Sequence, residues 1–254
     1  MLRTLLFYIS LIVLTPSLSL ITIPIAFVTK SGRIPHLIAR FWSRCLLLAS
    51  GIRLEVEGLE NIDPQQSYVF AANHQSQFDI FALLVSLPVQ FRWLAKAELF
   101  RIPIFGSAMK GAGYIPIDRS DRKAAFKSID VAAAQVRRGT SIVIFPEGTR
   151  SVDGKLRSFK KGGFFLAIKS KRPIVPISIS GSHKILAKGS FRVHSGTITI
   201  KIGKPIATAS LNPQDREWLI PEIRRRIQEN LPLDEQGEPE PPVEVQPEAA
   251  PETT

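Results

Sequence analysis

Cysteine is almost absent from these 254 residues: there is one, Cys45, and histidine, with four, is nearly as sparse. A single cysteine excludes an internal disulfide and a cysteine-based metal site. No H-E-x-x-H and no cluster of His and Cys occurs, which argues against a metal hydrolase. G-x-S-x-G is missing too, which counts against a serine nucleophile on an α/β-hydrolase sheet. Acids are scarce in the body of the chain, because 7 of the 22 fall in the last stretch, "LDEQGEPEPPVEVQPEAAPETT" (233–254), alongside five prolines and no base. That stretch is too polar and self-repelling to bury a core and reads as a disordered acidic tail. Residues 1–232 then hold 33 bases against 15 acids, a net of +18. So basic a body points to an anionic partner. Lipid headgroups, at roughly 1 kcal/mol per surface Lys or Arg, are one candidate. Nucleic acid is the other.

Charge is missing altogether from Thr4 to Val28, with Arg3, Lys30 and Arg33 flanking the gap. Twenty-five uncharged residues suffice to cross a hydrocarbon core of about 30 Å as a helix. Pro16 and Pro24 interrupt the run, since each disfavours helical geometry at the residue before it. A second apolar stretch, "LIARFWSRCLLLASG", places Arg40 and Arg44 one helical turn apart on its expected wet face. Residues 1–50 therefore read as N-terminal membrane-anchoring helices, either one spanning helix or a hairpin dipping into one leaflet. A cleaved signal peptide fits poorly, because the apolar region is too long and no A-x-A site follows.

Between residues 51 and 232 the pattern alternates. "IRLEVEG", "SYVFAAN", "RWLAK", "GYIPID", "SIVIFPEG", "PIVPISIS" and "TITIKIG" read as strands, short, β-branched and bounded by turn residues. "YVFAA", "IVIF" and "IVPISI" are nearly all apolar, as expected of strands covered on both faces, although Pro176 argues for an edge or a bulge. A helix is expected from Asp121 to Arg138, capped by Ser120 and stopped by Gly139. Another runs from about Gln214 to Asn230. The expected fold is an α/β domain with a mixed sheet flanked by helices.

Chemistry-bearing residues collect where strands end. "AANHQSQFDI" delivers His74 to the end of one strand and Asp79 to the start of the next helix, where open α/β sheets place ligands. A turn there can let the carboxylate fix one ring nitrogen and leave the other as a base. The same residues also read as a helix cap and a loop hydrogen bond. "GAGYIPIDRS" presents Arg119. "IVIFPEGTRS" exposes Glu147 and Arg150 on a turn whose Gly148 lets a ligand approach the backbone closely. The planar fork of Arg suits a phosphate. Lys160 and Lys161 precede a Gly-Gly at an expected helix start, which favours an anion.

In their order, "NHQSQFD", "GYIPIDR", "FPEGTRS" and "VPISISG" resemble the four blocks of the glycerolipid acyltransferase family, the 1-acyl-glycerol-3-phosphate acyltransferases in particular. The resemblance covers about 70–180 and includes "KAELFRIPIFG". It implies transfer of an acyl group from acyl-CoA or acyl carrier protein to the hydroxyl of lysophosphatidate, giving phosphatidate. It makes His74 the general base and Asp79 its orienting partner. Arg119, Glu147, Gly148, Thr149 and Arg150 would bind the glycerol-phosphate, with Glu147 positioning an Arg or a glycerol hydroxyl. Lys160 and Lys161 are secondary candidates for phosphate contacts. Neither a metal nor a cofactor is implied, the acyl donor being a co-substrate. The partners implied are membrane lipids and no nucleic acid, at the cytoplasmic face of the cell membrane. Deletion of 233–254 is expected to spare catalysis. Other phosphate-bearing acceptors remain alternatives within the chemistry, and a membrane-tethered basic binding protein is the alternative outside it.

Overall fold

The structure, a computed structural model, describes residues 1–118 and 120–238. Helices α1 (Leu2–Thr29) and α2 (Arg33–Ser50) form an antiparallel hairpin ahead of the sheet domain. There follow β1 (Ile52–Glu57), β2 (Val69–Ala72), α3 (Phe78–Ser86), β3 (Phe91–Lys96), α4 (Phe105–Gly111), β4 (Ile115–Ile117) and α5 (Arg122–Arg137). Then come β5 (Ser141–Ile144), α6 (Gly162–Ser170), β6 (Ile174–Ser180), α7 (Ser182–Ile185), β7 (Gly196–Ile202) and α8 (Arg216–Glu229). The seven strands make one mixed sheet in the order β1-β7-β6-β2-β5-β3-β4, antiparallel only between β6 and β7.

Strand side chains alternate between faces, so one short apolar run serves two cores. Phe70 and Ala72 of β2 join Phe78 and Phe81 of α3, Leu46 of α2 and Phe7 of α1 on one side. Val69 and Ala71 join Ile129 and Val136 of α5, Phe164 of α6 and Ile223 of α8 on the other. The α1–α2 hairpin is thus part of the domain's own packing.

Several local expectations are corrected. Helix α1 runs unbroken through Pro16 and Pro24. Arg40 is half-buried, its Nη2 donating to the carbonyl of Val85 at 3.3 Å, and only Arg44 is left on the wet face. Asp121, one residue later than Ser120, caps α5 by accepting from the amides of Lys123 and Ala124. The edge expected as one option for Pro176 is not found, since its strand is interior, but the bulge is. The β6–β7 ladder ends at Ile177↔Ile202, and the partner chain rejoins β6 at Ile174↔Ile206, so three residues, 203–205, stand opposite two, 175–176. Gly203 donates to the Pro176 carbonyl and, lacking a side chain, leaves room for the ring.

The tail boundary also moves. Leu233–Glu235 form a 3-10 turn with Glu235 buried, so 233–238 is ordered against the domain and does not belong to a disordered tail. The burial is sustained by hydrogen bonds to that carboxylate, described below. Residues 239–254 lie outside the described residues.

Candidate active site

Parallel strands point their carboxyl ends the same way, and the loops leaving β2 and β5 meet above the sheet. The β2 loop is held at its root by Asn73, whose side chain donates to the Ile179 carbonyl at 2.8 Å and accepts from the Ile179 amide at 2.7 Å. His74 follows, and Asp79, fully buried in the first turn of α3, reaches back to it. One carboxylate oxygen, Asp79 Oδ2, meets His74 Nδ1 at 2.8 Å, the Gln75 amide at 2.7 Å and the Ser76 amide at 2.8 Å. Two backbone amides already donate to that oxygen, so it faces the ring as an acceptor, and the proton between Asp79 and the ring is assigned to Nδ1. Nε2 is left with its lone pair and no partner among the described residues.

The β5 loop braces this arrangement. Phe145 stacks on the His74 ring, centroids 3.9 Å apart and planes 10° from parallel. Glu147 accepts from the His74 amide at 2.7 Å and from the Arg157 amide at 3.3 Å, and Ser151 donates to the His74 carbonyl at 2.8 Å. Burial pushes the Glu147 carboxyl up to about 8. Glu147, expected among the glycerol-phosphate ligands, is turned inward. Its side chain is buried and spent on backbone amides of the loops, because desolvation favours an inward carboxyl only where donors wait for it.

His74, Gly148, Thr149, Arg150 and Lys160 line one cavity of about 610 Å³. Its remaining wall is mostly apolar and includes Leu18 of α1 and Trp42 of α2, with Trp42 Nε1 donating to Thr15 at 3.1 Å. Arg150 is half-buried and pairs with no carboxylate among the described residues. Lys161 is brought elsewhere: its ammonium pairs with Glu217 at 3.0 Å and it borders a neighbouring cavity. Arg119 lies outside the described residues. Among those described, no three His, Cys, Asp or Glu side chains are grouped to hold a metal ion.

Sequence reasoning missed Gln75, Ser76, Lys188 and Glu235. Lys188 donates to Thr149 Oγ1 and to the Arg150 carbonyl, both at 3.2 Å, and so shapes the loop. Position next to His74 is the one available signal for Gln75 and Ser76; Lys188 and Glu235 carry none. A second buried imidazole, His36, is no rival base. Burial, with Arg92 and Arg40 nearby, pushes it down to about 3, and it packs edge-on against Phe91.

The family model described as Acyltransferase matches residues 53–180. Similar proteins include a chloroplastic 1-acyl-sn-glycerol-3-phosphate acyltransferase of Arabidopsis thaliana, 36% identical over 200 residues, covering 78% of this chain and 54% of that protein. The human 1-acyl-sn-glycerol-3-phosphate acyltransferase alpha is 34% identical over 182 residues, covering 71% of this chain and 63% of that one. The chain thus spans between half and two thirds of the length of these curated relatives. Among solved structures, the 1-acyl-sn-glycerophosphate acyltransferase of Thermotoga maritima superposes with a TM-score of 0.74 at 26% identity, over 90% of this chain and 94% of that one.

Proposed function

The chain belongs to the acyltransferase family, and from that premise we propose that it moves a fatty acyl group from a thioester, acyl-CoA or acyl carrier protein, to the sn-2 hydroxyl of lysophosphatidate. One observation carries the reading. His74 offers a free Nε2, held by Asp79, to an apolar cavity whose rim bears Arg150 and Lys160. A hydroxyl at Nε2 gives up its proton as its oxygen attacks the thioester carbonyl. The tetrahedral intermediate then expels the thiolate, which recovers the proton from the imidazolium. Asp79 stabilises that imidazolium throughout. The attacking oxygen belongs to the substrate, so no acyl-enzyme forms. General-base help of this kind is worth about 10² to 10⁴-fold, and holding both substrates together adds to it.

Arg150 and Lys160 are assigned to the acceptor phosphate, with Gly148 and Thr149 shaping the loop beneath it. Arg119 is assigned to the same phosphate from the sequence alone. The apolar wall from α1 and α2 suits an acyl chain, and the cavity volume lies in the usual range for ligand sites.

The hairpin supports a seat in one leaflet of the membrane. Helix α1 is long and apolar enough to cross a bilayer. Yet Thr4 near one end exchanges hydrogen bonds with Val193, and Ala26 near the other packs against Gly111 of α4. A helix flanked by its own domain at both ends lies along it rather than leading away through the membrane. Its outer face, with Ile12, Val13, Leu20 and Phe27 exposed, gives the domain an apolar surface to bury in lipid. The basic body favours an anionic leaflet, which we take to be the cytoplasmic face of the cell membrane.

The test is direct. Purified, detergent-solubilised protein is mixed with lysophosphatidate and a labelled long-chain acyl-CoA or acyl carrier protein. Phosphatidate is the expected product; none with either donor would remove lysophosphatidate as the acceptor.

A further inference from the structure

A buried carboxylate with no role in the chemistry sits behind the catalytic loop. Glu235 is 4% exposed although it begins an otherwise acidic, proline-rich stretch. Its Oε2 accepts from Gln75 Nε2 at 2.8 Å and its Oε1 from the Gly181 amide at 3.1 Å. Its carbonyl accepts from the Leu156 amide at 2.9 Å. Gln75 in turn gives its second Nε2 hydrogen to the Gly154 carbonyl at 2.8 Å and accepts from Ser182 Oγ at 3.3 Å. One side chain thereby joins the loops after β2, β5 and β6. The chain beyond is fitted as closely. Gly237, at φ +69°, passes so near Leu156 that a Cβ would fall 2.2 Å from its carbonyl oxygen, and Arg224 donates to the Glu238 carbonyl at 2.6 Å.

We propose that residues 233–238 are a latch belonging to the catalytic unit, and that Glu235 is a positioning residue for His74. The inference rests on the acyl-transfer reading above. The connection runs through Gln75: its side chain is fixed by Glu235, and its amide is one of the three donors on the Asp79 oxygen that orients His74. Two donors converge on the two oxygens of Glu235, an arrangement only a carboxylate satisfies, since an amide must turn its own NH₂ toward one of them. The latch reverses the expectation that removing 233–254 spares catalysis.

Four variants of the full chain are compared with wild type for kcat, KM and melting: Glu235→Gln, Glu235→Ala, a stop after Glu238 and a stop after Pro232. A misplaced base lowers kcat steeply, so Glu235→Ala and the stop after Pro232 are expected to lose about tenfold or more in kcat, with KM for lysophosphatidate within about twofold. Glu235→Gln should fall in between, and the stop after Glu238 should match wild type. Hydrogen exchange in the segments 73–81 and 178–184 should quicken in both Glu235 variants, while β5 stays protected. Unchanged kcat in Glu235→Ala overturns the proposal; should that variant fail to melt cooperatively, Glu235→Gln decides by the same criterion. If wild type makes no phosphatidate, the acyl-transfer reading has failed. The latch is then judged by exchange, and unaltered exchange at 73–81 overturns it.

Discussion

Strands β2 and β5 lie side by side, paired from Val69↔Ile142 to Ala71↔Ile144, and the turn that leaves each is met by a buried carboxyl group, Asp79 from the start of α3 and Glu147 from the β5 loop itself. They use it differently. Asp79 gathers the His74 ring and two amides on one oxygen, so its charge is aimed at the imidazole. Glu147 accepts one short and one long amide bond, and burial, with the Asp79 charge close by, pushes it toward the neutral acid. Burial alone therefore does not set a carboxyl group's role; the number and direction of donors do. On the acyl-transfer reading, the first loop makes the base, and the second braces it on the inner side and presents Arg150 on the outer one.

The comparison predicts a graded series of losses. His74→Ala should lower kcat at least ~10²-fold, the general-base contribution, while the protein stays folded. Asp79→Asn should cost about as much, ~10², with KM nearly unchanged, because the ring keeps its pocket but loses its fixed tautomer. Steady-state kinetics with melting curves on each variant checks both. Turnover undiminished in His74→Ala would take this residue out of the mechanism, and a cost for Glu147→Gln equal to that for Asp79→Asn would erase the contrast between the loops.

Arg150→Ala sharpens the outer half of the contrast. A charged hydrogen bond to phosphate is worth about 1.5–3 kcal/mol, so KM for lysophosphatidate should rise roughly ten- to a hundredfold while kcat changes little. An acceptor analogue lacking the phosphate should be insensitive to the substitution. Equal losses on both acceptors would move Arg150 from phosphate binding to loop structure.

The division between loops also marks what sequence could reach. All seven strands were legible because β-branched runs bounded by turns have little else to become. The His74–Asp79 pair and the Arg150 turn were legible because each is contained in one short block. Contacts between distant blocks were not. Gln75 and Glu235 stand 160 residues apart, and the acidic composition around Glu235 outweighs any local hint of burial. The inward bonds of Glu147 were out of reach for a related reason: its partners are backbone amides, which leave no mark in the sequence. Pro176 was legible by a sound rule: it sits at a bulge between the pairs Ile177↔Ile202 and Ile174↔Ile206, where no regular ladder position calls for its missing N–H.

The smallest expected effect concerns Glu147 and is one of stability. Its carboxyl stands at about 8 in the folded protein against 4.5 ordinarily, with desolvation the main cause. Between those two values the unfolded chain has released its proton and the folded chain still holds it. Proton loss then favours unfolding, so stability from this group falls as pH rises across the window and levels off above about 8. The cost is bounded by ~1.4 kcal/mol per unit of difference, a few kcal/mol at most, and Asp79 shares in it. Glu147→Gln keeps an acceptor for the His74 amide and removes the titration. Denaturant melts from pH 5 to 8.5 should show wild type losing stability relative to this variant as pH rises. Parallel curves would mean that the Glu147 carboxyl is ionised inside the fold, which would make its amide partners stronger than their geometry suggests and bring it closer in kind to Asp79.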